Sequence, residues 1–125
     1  MKLIDYTKIC GIFKQDDSNN IKEITVLELK SLMDNESNIT VLDVREPFEV
    51  AIAKIPNTIH IPMREVPNHL NEFDKDSDII VHCKSGVRSE KICKLLIENN
   101  FKSVKNLKGG VIAWSIEIDP TIPTY

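Results

Sequence analysis

The sequence is poor in cysteine, histidine and glycine, and each shortage removes a class of protein. Three cysteines in 125 residues are too few, and odd in number, for a disulfide framework. A reducing cytoplasm is therefore expected, where a thiol can stay free for chemistry. The three histidines show no ligand spacing with any cysteine, so neither a metal nor a cofactor is expected. The four glycines form no glycine-rich nucleotide loop. No apolar run approaches the roughly 20 residues that span a bilayer, and the first residues lack the layout of a signal peptide. Excess basic charge is absent too. Lys and Arg number 16 against 19 Asp and Glu, which argues against general affinity for nucleic acid or anionic lipid.

What remains is a hydrophobic fraction of 42%, enough for the core of one domain. Residues 1–20 read as a mixed N-terminal segment closed by the polar linker QDDSNN, and residues 21–125 as the domain. Thr25 and Glu28 have the spacing of a capping box, flanked by Ile24 and Leu29, so a helix starts at Thr25 with Leu29, Leu32 and Met33 inward. Strands are expected over 39–44, 58–61, 78–82 and 104–107. Helical spacing links Val66, Leu70 and Phe73. A helix over 89–98 turns Ile92, Cys93, Leu96 and Ile97 inward, and Gly109-Gly110 leads into a helix holding Trp114. Strands alternating with helices imply an α/β fold, a parallel sheet covered on both faces. The ligand site of such a sheet lies beyond the carboxyl ends of its strands, which is where Cys83 falls.

The segment Cys83-Lys84-Ser85-Gly86-Val87-Arg88-Ser89 joins a strand to a helix. Its backbone N–H groups can curl into a nest for an anion, backed by the positive end of the helix dipole. Gly86 can take positive φ where the loop bends. Lys84 and Arg88 add positive charge, and all these features favour a thiolate. A cysteine at a strand end is ordinarily a small buried hydrophobe. The coincidence of glycine, arginine and strand-to-helix junction selects the reactive reading.

The loop CKSGVRS resembles the active-site loop of rhodanese-like sulfurtransferase domains. VLDVREPFEVAIAKIPNTIHIP resembles their first strand and following loop, and NLKGGVIAW their late strand-turn-helix. The resemblance runs from about Ile24 to the end. It implies the rhodanese-like three-layer fold, a mostly parallel sheet of about five strands with helices on both faces. It also implies a persulfide on Cys83, cradled by Lys84, Ser85, Gly86, Val87 and Arg88, with sulfur passed to a thiophilic acceptor. LIDYTKICGIF and GGVIAWSIEIDPTIPTY further resemble the C-terminal domain of two-domain adenylyltransferase/sulfurtransferases. That likeness implies a ubiquitin-like sulfur carrier and an adenylating domain as partners, in molybdenum cofactor or thiamine synthesis or in tRNA thiolation. Thiosulfate or the persulfide of a cysteine desulfurase would be the donor. The sequence departs from the family in having Lys84 where arginine is common and Lys54-Ile55-Pro56-Asn57-Thr58 where a glycine turn is common.

Two other functions fit the architecture. A phosphatase or arsenate reductase would need a longer oxyanion loop, and Arg88 follows Cys83 after only four residues. A non-catalytic interaction module would have no use for the cysteine. Asp43, Arg45 and Glu49 are expected to support the loop, Arg45 pairing with Glu49 or Asp43. His82 should point away from Cys83, because side chains alternate along a strand. Cys93 reads as core, and Cys10 as a weak candidate for a second thiol.

Overall fold

The structure, a computed structural model, describes residues 21–125. The expectations for 1–20, Cys10 among them, lie outside the described residues. Chain order is β1 (Lys22–Ile24), α1 (Val26–Asp34), β2 (Ile39–Asp43), α2 (Pro47–Ile52), β3 (Ile59–His60), a 3-10 helix (Met63–Glu72), β4 (Asp78–His82), α3 (Val87–Glu98), β5 (Ser103–Leu107) and α4 (Gly110–Glu117). The five strands form one sheet in the order β1-β5-β4-β2-β3, and every pairing is parallel. This is the α/β fold expected from the sequence.

Alternation along β4 builds two cores. Ile79 and Val81 face one layer with Leu42, Val66, Ile92, Leu96 and Phe101, beneath α3 and the 3-10 helix. Ile80 faces the other with Leu29, Val41, Leu107, Val111 and Trp114, beneath α1 and α4. The same alternation puts Cys83 on the α3 side with Ile79 and Val81. From β3 at one edge the chain crosses over β2 to β4, so β2 and β4 flank the topological switch point. Their carboxyl ends coincide, Asp43 standing opposite His82.

Several elements differ from the sequence reading. β1 was not anticipated; three residues in a polar context are too short to show alternation. It exists because β5 offers it a parallel edge. The six residues of α2 read as loop, yet Pro47 suits a first helical turn and the Glu46 N–H donates to Glu49 Oε2 at 2.9 Å. The helix at Val66 and Leu70 is of the 3-10 type, and Pro67 inside it has no N–H to give an α-type bond. α3 begins at Val87, two residues before the expected start. Ile97, expected inward, is 44% exposed. The capping box is as read, with the Glu28 N–H on Thr25 Oγ1 at 3.1 Å and the Thr25 N–H on Glu28 Oε1 at 2.9 Å. Among the described residues no helix is long and apolar enough to cross a membrane.

The N-terminus of α4 packs directly under the Cys83 loop. The Val111 N–H donates to the Cys83 carbonyl at 3.0 Å and the Ile112 N–H to the Lys84 carbonyl at 3.2 Å. Gly110 takes φ +57°, and a Cβ there would run into both carbonyl oxygens. Gly110→Ala is accordingly expected to destabilise the domain by about 2–4 kcal/mol, a close clash added to a left-handed backbone. Urea unfolding of the two proteins measures it, and equal stability would contradict the packing described.

Candidate active site

Cys83 leaves the end of β4 fully buried, 1% exposed, while Ser85 and Val87 of its loop are exposed. Its sulfur is met from several directions. The Gly86 N–H donates to Sγ at 3.1 Å and the Ser89 N–H at 3.4 Å. Ser89 Oγ lies 3.3 Å from Sγ. Gly86 holds φ +116° as the residue before α3, which lets its N–H turn inward while its carbonyl accepts from Asn106 Nδ2 at 3.0 Å. Burial alone would raise the Cys83 pKa. The hydrogen bonds from Ser89 and from the N–H groups of Gly86 and Ser85 outweigh it and hold the thiol below its ordinary value. Cys93, one turn beyond Ser89 in the same core, is met only by its own backbone N–H, and burial pushes its thiol up to about 12.

The loop cations are engaged elsewhere. Arg88 makes a bidentate pair with Glu49, at 2.7 and 2.8 Å. Its guanidinium interacts with the charge of Cys83, but its hydrogen bonds go to the carboxylate. Lys84 Nζ sits 4.7 Å from the centroid of the Tyr125 ring, a cation–π contact. Backbone N–H groups and Ser89 make the hydrogen bonds to Sγ, while the Arg88 and Lys84 side chains hold Glu49 and Tyr125.

These contacts extend into a continuous brace. Arg45, fully buried, donates from Nε and Nη2 to the two oxygens of Asp43 at 2.9 and 2.7 Å. Of the two partners expected for Arg45, Asp43 takes the ion pair and Glu49 offers only its carbonyl, at 3.4 Å. Arg45 Nη1 donates to the Tyr125 hydroxyl at 2.7 Å, and that hydroxyl donates to Glu49 Oε1 at 2.9 Å. Asp43, Arg45, Tyr125, Glu49 and Arg88 thus form one chain from the end of β2 to the start of α3. Burial would raise the Asp43 pKa, but its bonds to Arg45 hold it below the usual carboxylate range.

His82 turns away from the sulfur. Its Nδ1 is 3.4 Å from the Cys83 carbonyl and its Nε2 3.7 Å from Asp43 Oδ2, and burial lowers its pKa. Ser89, Asn106 and Tyr125 were not singled out from the sequence. Ser89 carries a local sign, a hydroxyl in the first turn of the helix that follows the Cys83 loop, whereas Asn106 stands in a strand of mixed polarity, Ser103–Leu107, and does not stand out there. Tyr125 has none, because its partners lie 76 and 80 positions away.

The hydrogen bond from Arg88 is the leading cause that draws the Glu49 carboxyl down from 4.5 to about 2. A depressed folded pKa contributes stability that is fully present above pH about 4.5 and lost as pH falls toward about 2. Glu49→Gln should remove this acid-limb loss, worth on the order of 2–3 kcal/mol. Denaturant midpoints for both proteins across that window provide the check. Parallel pH profiles would contradict the pairing.

Comparison with known proteins agrees with the fold. The rhodanese-like domain family matches residues 25–117. A sulfurtransferase of Allochromatium vinosum is 34% identical over 95 residues, covering 76% of this chain and 89% of that protein. The crystal structure of a rhodanese-like domain protein from Staphylococcus aureus superposes with a TM-score of 0.71 at 37% identity, covering 75% of this chain and 91% of that one. The adenylyltransferase and sulfurtransferase UBA4 of Debaryomyces hansenii is 34% identical over 133 residues and covers 98% of this chain, which spans only 30% of that protein's length. The chain belongs to the rhodanese-like domain family.

Proposed function

We propose that this rhodanese-like domain is a sulfurtransferase that carries a persulfide on Cys83. The observation that carries the reading is the convergence of the Gly86 and Ser89 N–H groups and the Ser89 hydroxyl on one buried sulfur. An unpaired thiol in a core needs no donors. A sulfur that must bear negative charge does. Lys84, Ser85, Gly86, Val87 and Arg88 then form the loop around the sulfane sulfur, while Asp43, Arg45 and Glu49 hold it in shape. In loading, the Cys83 thiolate attacks the sulfane sulfur of thiosulfate or of a desulfurase persulfide, and the donor leaves with the electron pair. Cys83 and Cys93, both free among the described residues, suit a reducing compartment, the cytoplasm.

The acceptor we assign is the C-terminus of a ubiquitin-like sulfur carrier, activated as an acyl adenylate by another domain. Likeness to the adenylyltransferase and sulfurtransferase UBA4 across nearly the whole chain supports it, together with the chemistry. A persulfide anion is a soft nucleophile and AMP a good leaving group. Attack by the outer sulfur on the acyl carbon expels AMP and forms an acyl disulfide. Attack on Sγ by a second thiol then releases the carrier thiocarboxylate and leaves a disulfide on Cys83. The pathway served would be molybdenum cofactor, thiamine or thiolated tRNA.

Cys83→Ser is expected to abolish thiosulfate-to-cyanide transfer while Cys93→Ser keeps most of it. Substantial turnover by Cys83→Ser would sink the reading. The acceptor is tested with persulfidated domain, carrier, adenylating enzyme, ATP and a thiol, read by mass spectrometry for the carrier thiocarboxylate. A carrier that is adenylated beside a loaded domain yet gains no sulfur would remove this acceptor and leave the sulfurtransferase.

A further inference from the structure

The buried Ser89 hydroxyl has one proton and two neighbours that can take it. Its oxygen is 2.5 Å from Asn106 Oδ1 and 3.3 Å from Cys83 Sγ. The Asn106 amide cannot be turned the other way, because its Nδ2 donates to the Gly86 carbonyl at 3.0 Å. Asn106 Oδ1 is therefore an acceptor, and Ser89 donates to it. With that proton committed, a neutral Cys83 thiol can only donate to Ser89 Oγ. Once the thiol ionises, the arrangement reverses. An oxygen lone pair would face an anion unless the hydroxyl turns to Sγ, and a hydrogen bond to a charged sulfur is stronger than one to a neutral amide.

We propose that the Ser89 hydroxyl is a proton toggle that follows the charge on Cys83 Sγ, with Asn106 as its resting acceptor, so that Ser89 promotes sulfur release and not sulfur loading. The inference rests on the persulfide reading. In loading from thiosulfate, Sγ attacks the sulfane sulfur, the bond to sulfite breaks and sulfite leaves with the electron pair. Negative charge moves from Sγ to the outer sulfur, so a hydrogen bond to Sγ belongs to the ground state and gives no acceleration. In release to cyanide, carbon attacks the outer sulfur, the Cys83 S–S bond breaks and the electron pair returns to Sγ as thiocyanate departs. The Ser89 hydroxyl now turns toward charge that develops in the transition state. Asn106 is the positioning residue: it holds the proton between these events and, through Gly86, keeps the loop carbonyl turned outward.

The test separates the two half-reactions by single-turnover kinetics, at a pH above the Cys83 pKa of each protein. Ser89→Ala is expected to slow release by about ten- to hundredfold, one hydrogen bond to a charged group. Its loading rate should equal or exceed that of the unaltered protein, and Ser89→Thr should restore release. Equal slowing of both half-reactions would mark Ser89 as structural and overturn the toggle, as would no slowing of either. A measurement on the unaltered protein needs no variant. At a pH below the Cys83 pKa, its S–H infrared stretch should show a donating thiol, and a stretch at the free-thiol position would overturn the assignment. Failure of the unaltered protein to load at all would instead remove the persulfide reading beneath it.

Discussion

Two peptide carbonyls set the site. Those of Cys83 and Lys84 are held by the first N–H groups of α4, and Gly110 is the residue that lets the helix come so close. A trans peptide points its N–H opposite its C=O. Fixing the Lys84 carbonyl turns the Ser85 N–H toward the sulfur, while the Gly86 and Ser89 N–H groups reach it through the bend at Gly86, whose carbonyl Asn106 holds, and the first turn of α3. The helix after the loop supplies the bend at Gly86, and the helix from the far end of the chain supplies the anchor. Neither alone would leave the sulfur surrounded by donors.

The electrostatics follow from that frame. Fixed dipoles in a buried pocket favour an anion without bringing in counter-charges that would themselves need desolvation. The formal charges stand one layer out, paired with one another: Asp43 with Arg45 and Glu49 with Arg88, joined through the Tyr125 hydroxyl. Breaking either pair would leave a carboxylate or guanidinium without its counter-charge. The brace is therefore stiff, and it ties β2, α2, α3 and the segment after α4 to the rim of the loop. His82, on the opposite face of β4, lies beside this brace, its Nε2 3.7 Å from Asp43 Oδ2, and does not reach the sulfur.

Much of this was legible in the sequence because it is local. The capping box at Thr25 and Glu28, the apolar strand ending at His82, and the glycine of the Cys83 loop each declare themselves within a few residues. β1 and α2 did not, since each is too short for periodicity to speak and is held by long-range pairing. The partners of the loop cations were harder to read. Lys84 and Arg88 stand beside Cys83 in sequence and so read as its counter-ions, yet Glu49 and Tyr125 claim them from 39 and 41 positions away. Distance in the chain hides such partners. Ser89 and Asn106 were likewise invisible as a pair, being 17 positions apart.

The account turns on whether Cys83 holds a sulfane sulfur. Intact mass of the protein after incubation with a sulfane donor, taken with and without reductant and followed by peptide mapping, reads this directly. The account predicts a gain of one sulfur atom that sits on the Cys83 peptide and disappears on reduction. A protein that gains no sulfur, or gains it on Cys93 while Cys83 stays bare, would contradict it.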